Sequence, residues 1–160
     1  ALYFLTRNPG AKVYLFEPVP RNIERLKENL KGFENRYELK ECAVGVEEGC
    51  LDFACDETGR HGGLIEGGAP YFAEWDSEKI IQVKVVSASK SLKEVLSRHN
   101  SIDILKIDVE GYENKILSDL KTEDLSHVVQ IFAETEDDQK INGFFSESAC
   151  GLTRYYRIQS

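Results

Sequence analysis

Ile102-Asp103-Ile104-Leu105-Lys106-Ile107-Asp108-Val109-Glu110-Gly111-Tyr112-Glu113 decides how the rest of the chain reads. Ile102, Ile104, Leu105 and Ile107 crowd its first half, and the apolar run stops at Asp108. Glu110 and Gly111 follow, and then Tyr112, Ile116, Leu117 and Leu120 recur at helical spacing. The pattern predicts a buried strand, a sharp turn and a helix. In an open parallel α/β sheet, ligands bind just outside the carboxyl ends of the strands. Asp108 and Glu110 stand at such an end. Both are candidate catalytic residues, against the plainer roles of strand-end cap for Asp108 and turn anchor for Glu110. Gly111 permits a tight turn, and Glu113 reads as a solvated residue on the helix that follows.

Downstream, Val128–Ala133 is a second buried strand that ends at Glu134. Residues 140–150 read as a helix and residues 152–158 as a final strand. Upstream, Ser91-Leu92-Lys93-Glu94 has the form of a capping box and predicts a short helix. Ile81, Val83 and Val85 alternate with polar residues, as a strand does. Residues 37–44 and 51–55 read as the two arms of a hairpin around Glu47-Glu48-Gly49. Residues 56–76 are glycine-rich and irregular, and long loops of this kind in compact domains carry function or disorder. Within them His61 is either a base or substrate contact or a solvated loop histidine, and Tyr71, Phe72 and Trp75 form either a lid or an anchoring patch. Nearer the start, residues 1–6 read as helix, Val13–Phe16 as a buried strand, and Pro20 opens a helix that Gly32 ends. Strands alternating with helices predict one α/β domain over residues 1–160, a doubly wound, mainly parallel sheet with helices on both faces.

The totals narrow the partners. The chain has 160 residues, 41% hydrophobic and 30% charged, with a net charge of -8. That length supports one core. The acidic balance, without a Lys/Arg cluster, argues against nucleic acid. No apolar run approaches the roughly 20 residues of a membrane span. Cys42, Cys50, Cys55 and Cys150 show no CxxC spacing, so they read as reduced thiols of a cytoplasmic protein, and no metal site is indicated.

Glu17 ends the Val13–Phe16 strand and precedes a helix. In nucleotide-binding α/β folds an acid at this place accepts the ribose hydroxyls, roughly 20 residues after the first glycine of a phosphate-type loop. Counting back puts that loop and the first, central strand upstream of residue 1, so the 160 residues alone are expected to fold poorly. The plainer role for Glu17 is to cap the next helix.

Three segments, in order, resemble FkbM-type methyltransferases. They are Val13-Tyr14-Leu15-Phe16-Glu17-Pro18-Val19-Pro20-Arg21-Asn22 with Leu26 and Glu28-Asn29, then Glu41-Cys42-Ala43-Val44-Gly45, then Leu105 to Glu113. The resemblance spans residues 12–134. It implies the Rossmann-like class I methyltransferase fold, with S-adenosyl-L-methionine (SAM) as cofactor and a hydroxyl of a small molecule or glycan as methyl acceptor. It places Glu17 on the SAM ribose, Cys42 and Ala43 by the adenine, and Asp108 by the methionine part and the methyl. Ser87-Ala88-Ser89 departs from the Leu-Asp pair many members carry there. Two other readings stand beside it, a NAD-type Rossmann oxidoreductase and a degenerate, non-catalytic methyltransferase-like binding module. The Asp-Val-Glu-Gly turn has no explanation under the oxidoreductase reading.

Overall fold

A computed structural model describes residues 1–56, 62–66, 69–70, 79–135 and 139–157. Helix α1 (Leu2–Arg7) precedes strand β1 (Val13–Phe16). Pro20 opens α2 (Pro20–Asn29), where its missing N–H and fixed φ suit the first helical position. Ile23 and Leu30 are the buried face of this segment. Strand β2 (Tyr37–Lys40) then pairs in parallel with β1, Val13 opposite Tyr37.

The predicted hairpin does not form. The chain breaks at Glu41-Cys42, where the Cys42 N–H bonds back to the Lys40 carbonyl at 3.0 Å. That bend leads into β3 (Ala43–Gly45), which lies beside β7 (Lys79–Ser87), in parallel. Strand β4 (Gly49–Cys55) pairs antiparallel with β7 over its whole length and with β5 (Gly62–Glu66), which carries β6 (Ala69–Pro70) on its other edge. The glycine-rich region therefore contributes strand where a loop was expected.

Helix α3 (Ala88–Arg98) begins earlier than the sequence pattern places it. Ser87 is its N-cap, accepting the Lys90 N–H at 3.3 Å, while Ser91 is buried inside the first turns. The helix start is thus capped by the Ser87 hydroxyl. Strand β8 (Ile102–Ile107), helix α4 (Glu113–Asp119) and β9 (Val128–Ala133) follow the predicted order, with a short α5 (Thr122–Leu125) that the sequence pattern did not predict, and β8 and β9 are parallel.

The predicted helix at 140–150 is instead β10 (Phe145–Ala149), joined to β11 (Leu152–Tyr156) by a two-residue turn. Cys150 and Gly151 have φ of 53° and 76°, both in the left-handed region, as a tight hairpin turn of the primed kind requires. Glycine adopts that conformation freely; Cys150 is carried into it by the hairpin register. β11 pairs antiparallel with β9.

The architecture is therefore α/β with mixed sheets, not mainly parallel. One sheet is β1-β2, one is β10-β11-β9-β8 and one is β3-β7-β4-β5-β6. The parallel pairs β1-β2 and β8-β9 each have helices in their connection, and the tight two-residue turn joins an antiparallel pair, as strand geometry demands. Two apolar clusters fill the interior. Leu92, Ile107, Ile116, Val128, Ile131 and Tyr155 belong to one, and Val19, Ala43, Phe53, Leu64, Val83 and Val85 to the other. β3 is the seam, because alternate residues of a strand face opposite ways. Ala43 lies in the second cluster and Val44 packs on the first. No helix among the described residues is long and apolar enough to cross a membrane.

Candidate functional site

Two strand ends meet at one cavity. β1 ends at Phe16 and runs on through Glu17-Pro18-Val19, and β8 ends at Ile107 and runs on through Asp108-Val109-Glu110. Both segments line a cavity of about 210 Å³, with Ala43 and Val44 of β3 between them. Phe53, Gly62 and Leu64 close it from β4 and β5.

On the β1 side, the Glu17 N–H makes the last parallel bond, to the Lys40 carbonyl at 3.2 Å. Pro18 then stops the ladder, since it has no N–H to give. The Glu17 carboxylate turns back, and its Oε1 accepts the Val19 N–H at 2.9 Å and the Asn22 amide at 3.4 Å. It sits at the start of α2, where the helix dipole favours negative charge. Glu17 therefore braces the entry to α2 through Val19 and Asn22, without capping a helical N–H, and also lines the cavity.

On the β8 side, Glu110 and Gly111 have φ of 53° and 95°. The left-handed conformation costs a non-glycine residue roughly 1–2 kcal/mol. Glu113 holds it. This residue is only 4% exposed, not solvated as the sequence suggested. One carboxylate oxygen accepts the Val109 N–H and the other the Gly111 N–H, each at 2.9 Å. The cause is local. Helix α4 begins at Glu113, and helical side chains lean toward the helix N-terminus, here onto the turn. A carboxylate opening a helix straight after a glycine turn is the sequence signal that would have found it.

Asp108, which also lines the cavity, is ion-paired with Lys106. Glu110 lines the cavity beside it. Gly63 of β5 passes the turn closely enough that a Cβ there would lie 3.4 Å from the Glu110 carbonyl. Ala43 is in the cavity wall, whereas Cys42, one residue earlier, is buried outside that wall. Burial pushes the Cys42 thiol up from its ordinary pKa, against a smaller opposing effect of Lys84 and Lys40. A protonated, enclosed thiol is unreactive, so Cys42 serves packing. His61, with Tyr71, Phe72 and Trp75, lies outside the described residues. His99 is half-buried and bonds the Tyr14 hydroxyl at 2.7 Å, while exposed His127 lies 3.1 Å from the Asn100 carbonyl. Both are occupied away from the cavity. Among the described residues no group of His, Cys, Asp and Glu is placed to hold a metal ion.

The class defined by this fold and site is an α/β protein whose strand-end carboxylates share a cavity beside a left-handed glycine turn. The chain belongs to the FkbM methyltransferase family, since the family model described as "Methyltransferase FkbM domain" matches residues 1–150. It is 29% identical over 157 aligned residues to "2-O-methyltransferase NoeI" of Sinorhizobium fredii, an alignment covering 88% of this chain. The chain spans about 60% of that relative's length. No solved structure matches it.

Proposed function

We propose that this protein transfers the methyl group of S-adenosyl-L-methionine to a hydroxyl oxygen of a small molecule or glycan, and that the cavity between Glu17 and the residue 108–111 turn receives the donor. The observation that carries the reading is the convergence of both segments on one cavity in a chain of a methyltransferase family. The relative's name specifies an oxygen acceptor for that protein, which favours oxygen here.

In this reading Glu17 accepts the ribose hydroxyls, and Ala43 lies against the adenine. A cavity of about 210 Å³ is smaller than the ~300–1,000 Å³ that encloses a whole drug-sized ligand. It encloses the donor only in part, and the rest extends beyond it. The finer fold reading joins the β1-β2 and β8-β9 pairs into one doubly wound layer with a further parallel strand between them. Among the described residues β1 pairs only with β2, and β8 only with β9, so each offers an open edge. The Tyr14–His99 bond ties β1 to the approach into β8.

The chemistry asks little of the protein beyond placement. The acceptor oxygen attacks the methyl carbon, the carbon–sulfur bond breaks, and the sulfonium leaves as a neutral thioether. Holding the two reactants in line is worth on the order of 7–11 kcal/mol. The hydroxyl proton passes to a carboxylate, which contributes about 10²–10⁴-fold. Asp108, already beside a cation, faces the methionine part. Glu110 takes the proton, since its turn is held in a costly conformation, and such strain clusters at working sites.

Calorimetry with SAM tests the assignment. The full-length protein is expected to bind it, and Glu17→Ala to weaken binding by about 1–3 kcal/mol, the worth of hydrogen bonds to a charged group. No heat at high micromolar SAM rejects the function, and unchanged affinity in Glu17→Ala rejects the ribose role alone.

A further inference from the structure

A second, larger cleft of about 820 Å³ lies on the far side of the same turn. β3 runs from one cavity to the other. Ala43 and Val44 line the smaller, and Gly45 and Val46 line the larger. At about 3.3 Å per residue, that is a span of roughly 10 Å. The turn does the same from the opposite side, with Val109 and Glu110 in the smaller cavity and Tyr112 in the larger. Leu64 lines both. The two spaces are therefore neighbours that meet at Leu64 and the residue 110–112 turn, the place where the proposed proton acceptor sits.

We infer that this larger cleft is the acceptor site, and that it selects a neutral or cationic hydroxylated ring and rejects anionic ones. The inference rests on the donor reading of the smaller cavity. Volume supports it, since about 820 Å³ falls in the range that encloses a ligand of drug size. Lining supports it too. Leu51, Leu64 and Val85 form an apolar floor, and Asn114, Ser118 and Asp119 of α4 form a polar wall. A ring with C–H faces and hydroxyl edges matches that division, with its faces on the floor and its edges on the wall. Charge sets the selectivity. Glu47, Glu48 and Asp119 line the cleft against Lys115, which stands 4.5 Å over the Tyr112 ring. Lys90, 2.8 Å from Glu48, neutralises one carboxylate and leaves the wall negative, in a chain of net charge -8. A carboxylate or phosphate on the acceptor meets repulsion at close range, where water screens least.

The test uses the chain loaded with S-adenosylhomocysteine and saturation-transfer NMR against a panel of neutral methyl glycosides and the matching methyl uronosides. At least one neutral glycoside is expected to bind, with its uronoside at least tenfold weaker. Asn114→Trp fills the cleft from an exposed helix position and is expected to abolish that signal while leaving S-adenosylhomocysteine affinity within twofold. Glu47→Lys combined with Asp119→Lys is expected to raise uronoside affinity. Binding by no glycoside, equal binding of the uronosides, or a signal that survives Asn114→Trp overturns the acceptor site. Loss of S-adenosylhomocysteine heat in the unmodified chain instead overturns the donor reading on which it rests.

Discussion

Glu113 is the residue whose environment the sequence conceals most. In one dimension it is one acid among several on an amphipathic segment. In the structure its two oxygens fasten the Val109 and Gly111 amides, and so fix where Glu110 points from. Replacing it with glutamine keeps the shape but leaves one acceptor oxygen for two N–H donors. An unsatisfied buried donor costs about 1–3 kcal/mol. For a domain of this size that predicts a melting temperature lower by roughly 2–12 °C, at ~2–4 °C per kcal/mol. A thermal melt of Glu113→Gln indistinguishable from the unmodified chain would show that the clamp is idle. Glu17 was easier to find, because Pro18 marks where the strand must stop and leaves the preceding carboxylate at its end. Asp108 and Glu110 were found the same way, from an apolar run ending in charge. Cys42 is buried outside the cavity wall that Ala43 joins, since successive side chains at a strand start face different ways.

Among the elements, local pattern served where one strand or helix is bounded by its own residues. Val13–Phe16, Ile102–Ile107 and Val128–Ala133 have the predicted bounds because each is a short apolar run closed by charge or proline. It failed where pairing partners decide. Nothing within residues 37–55 says that β7, some 30 residues on, will take both β3 and β4 as neighbours. The carboxyl-terminal hairpin is the other failure, since its turn is Cys150-Gly151 and its outer strand is exposed along its length. What holds that hairpin is polar. Thr153 is fully buried, its hydroxyl 2.9 Å from that of Ser148 and 3.0 Å from that of Thr135, and it also reaches the Thr135 carbonyl at 3.2 Å. Thr153→Val preserves volume and removes the centre of this network. A loss of about 1–3 kcal/mol in urea unfolding is expected, with the slope unchanged. A loss below ~0.5 kcal/mol would mean the hydroxyls find other partners and the hairpin stands on its backbone ladder.

For the whole molecule the question is whether the β1-β2 and β8-β9 pairs behave as one ligand-binding unit. The fold class was legible in the alternation of strands and helices, and the mixed sheets were not, because long-range pairing leaves no periodic trace. The ion pairs from α3 to β2, Arg98–Glu38 at 2.7 Å and Lys40–Glu94 at 2.5 Å, are exposed, and such pairs are worth only about 0.2–1 kcal/mol. They orient the β1-β2 pair more than they fasten it. A ligand touching both Glu17 and the residue 108–111 turn would add a stronger tie, because binding to the folded state stabilises it by RT ln(1 + [L]/Kd). At a hundred times Kd that is about 2.7 kcal/mol, which at ~2–4 °C per kcal/mol raises the melting temperature by roughly 5–11 °C. SAM and S-adenosylhomocysteine are both expected to produce this rise, and NAD to produce none at equal concentration. Glu17→Ala should shrink the shift for both sulfur ligands together, since the ribose is common to them. A rise with NAD matching that with SAM would return the chain to the oxidoreductase reading. A SAM-induced rise that survives Glu17→Ala undiminished would place the donor elsewhere than between β1 and β8.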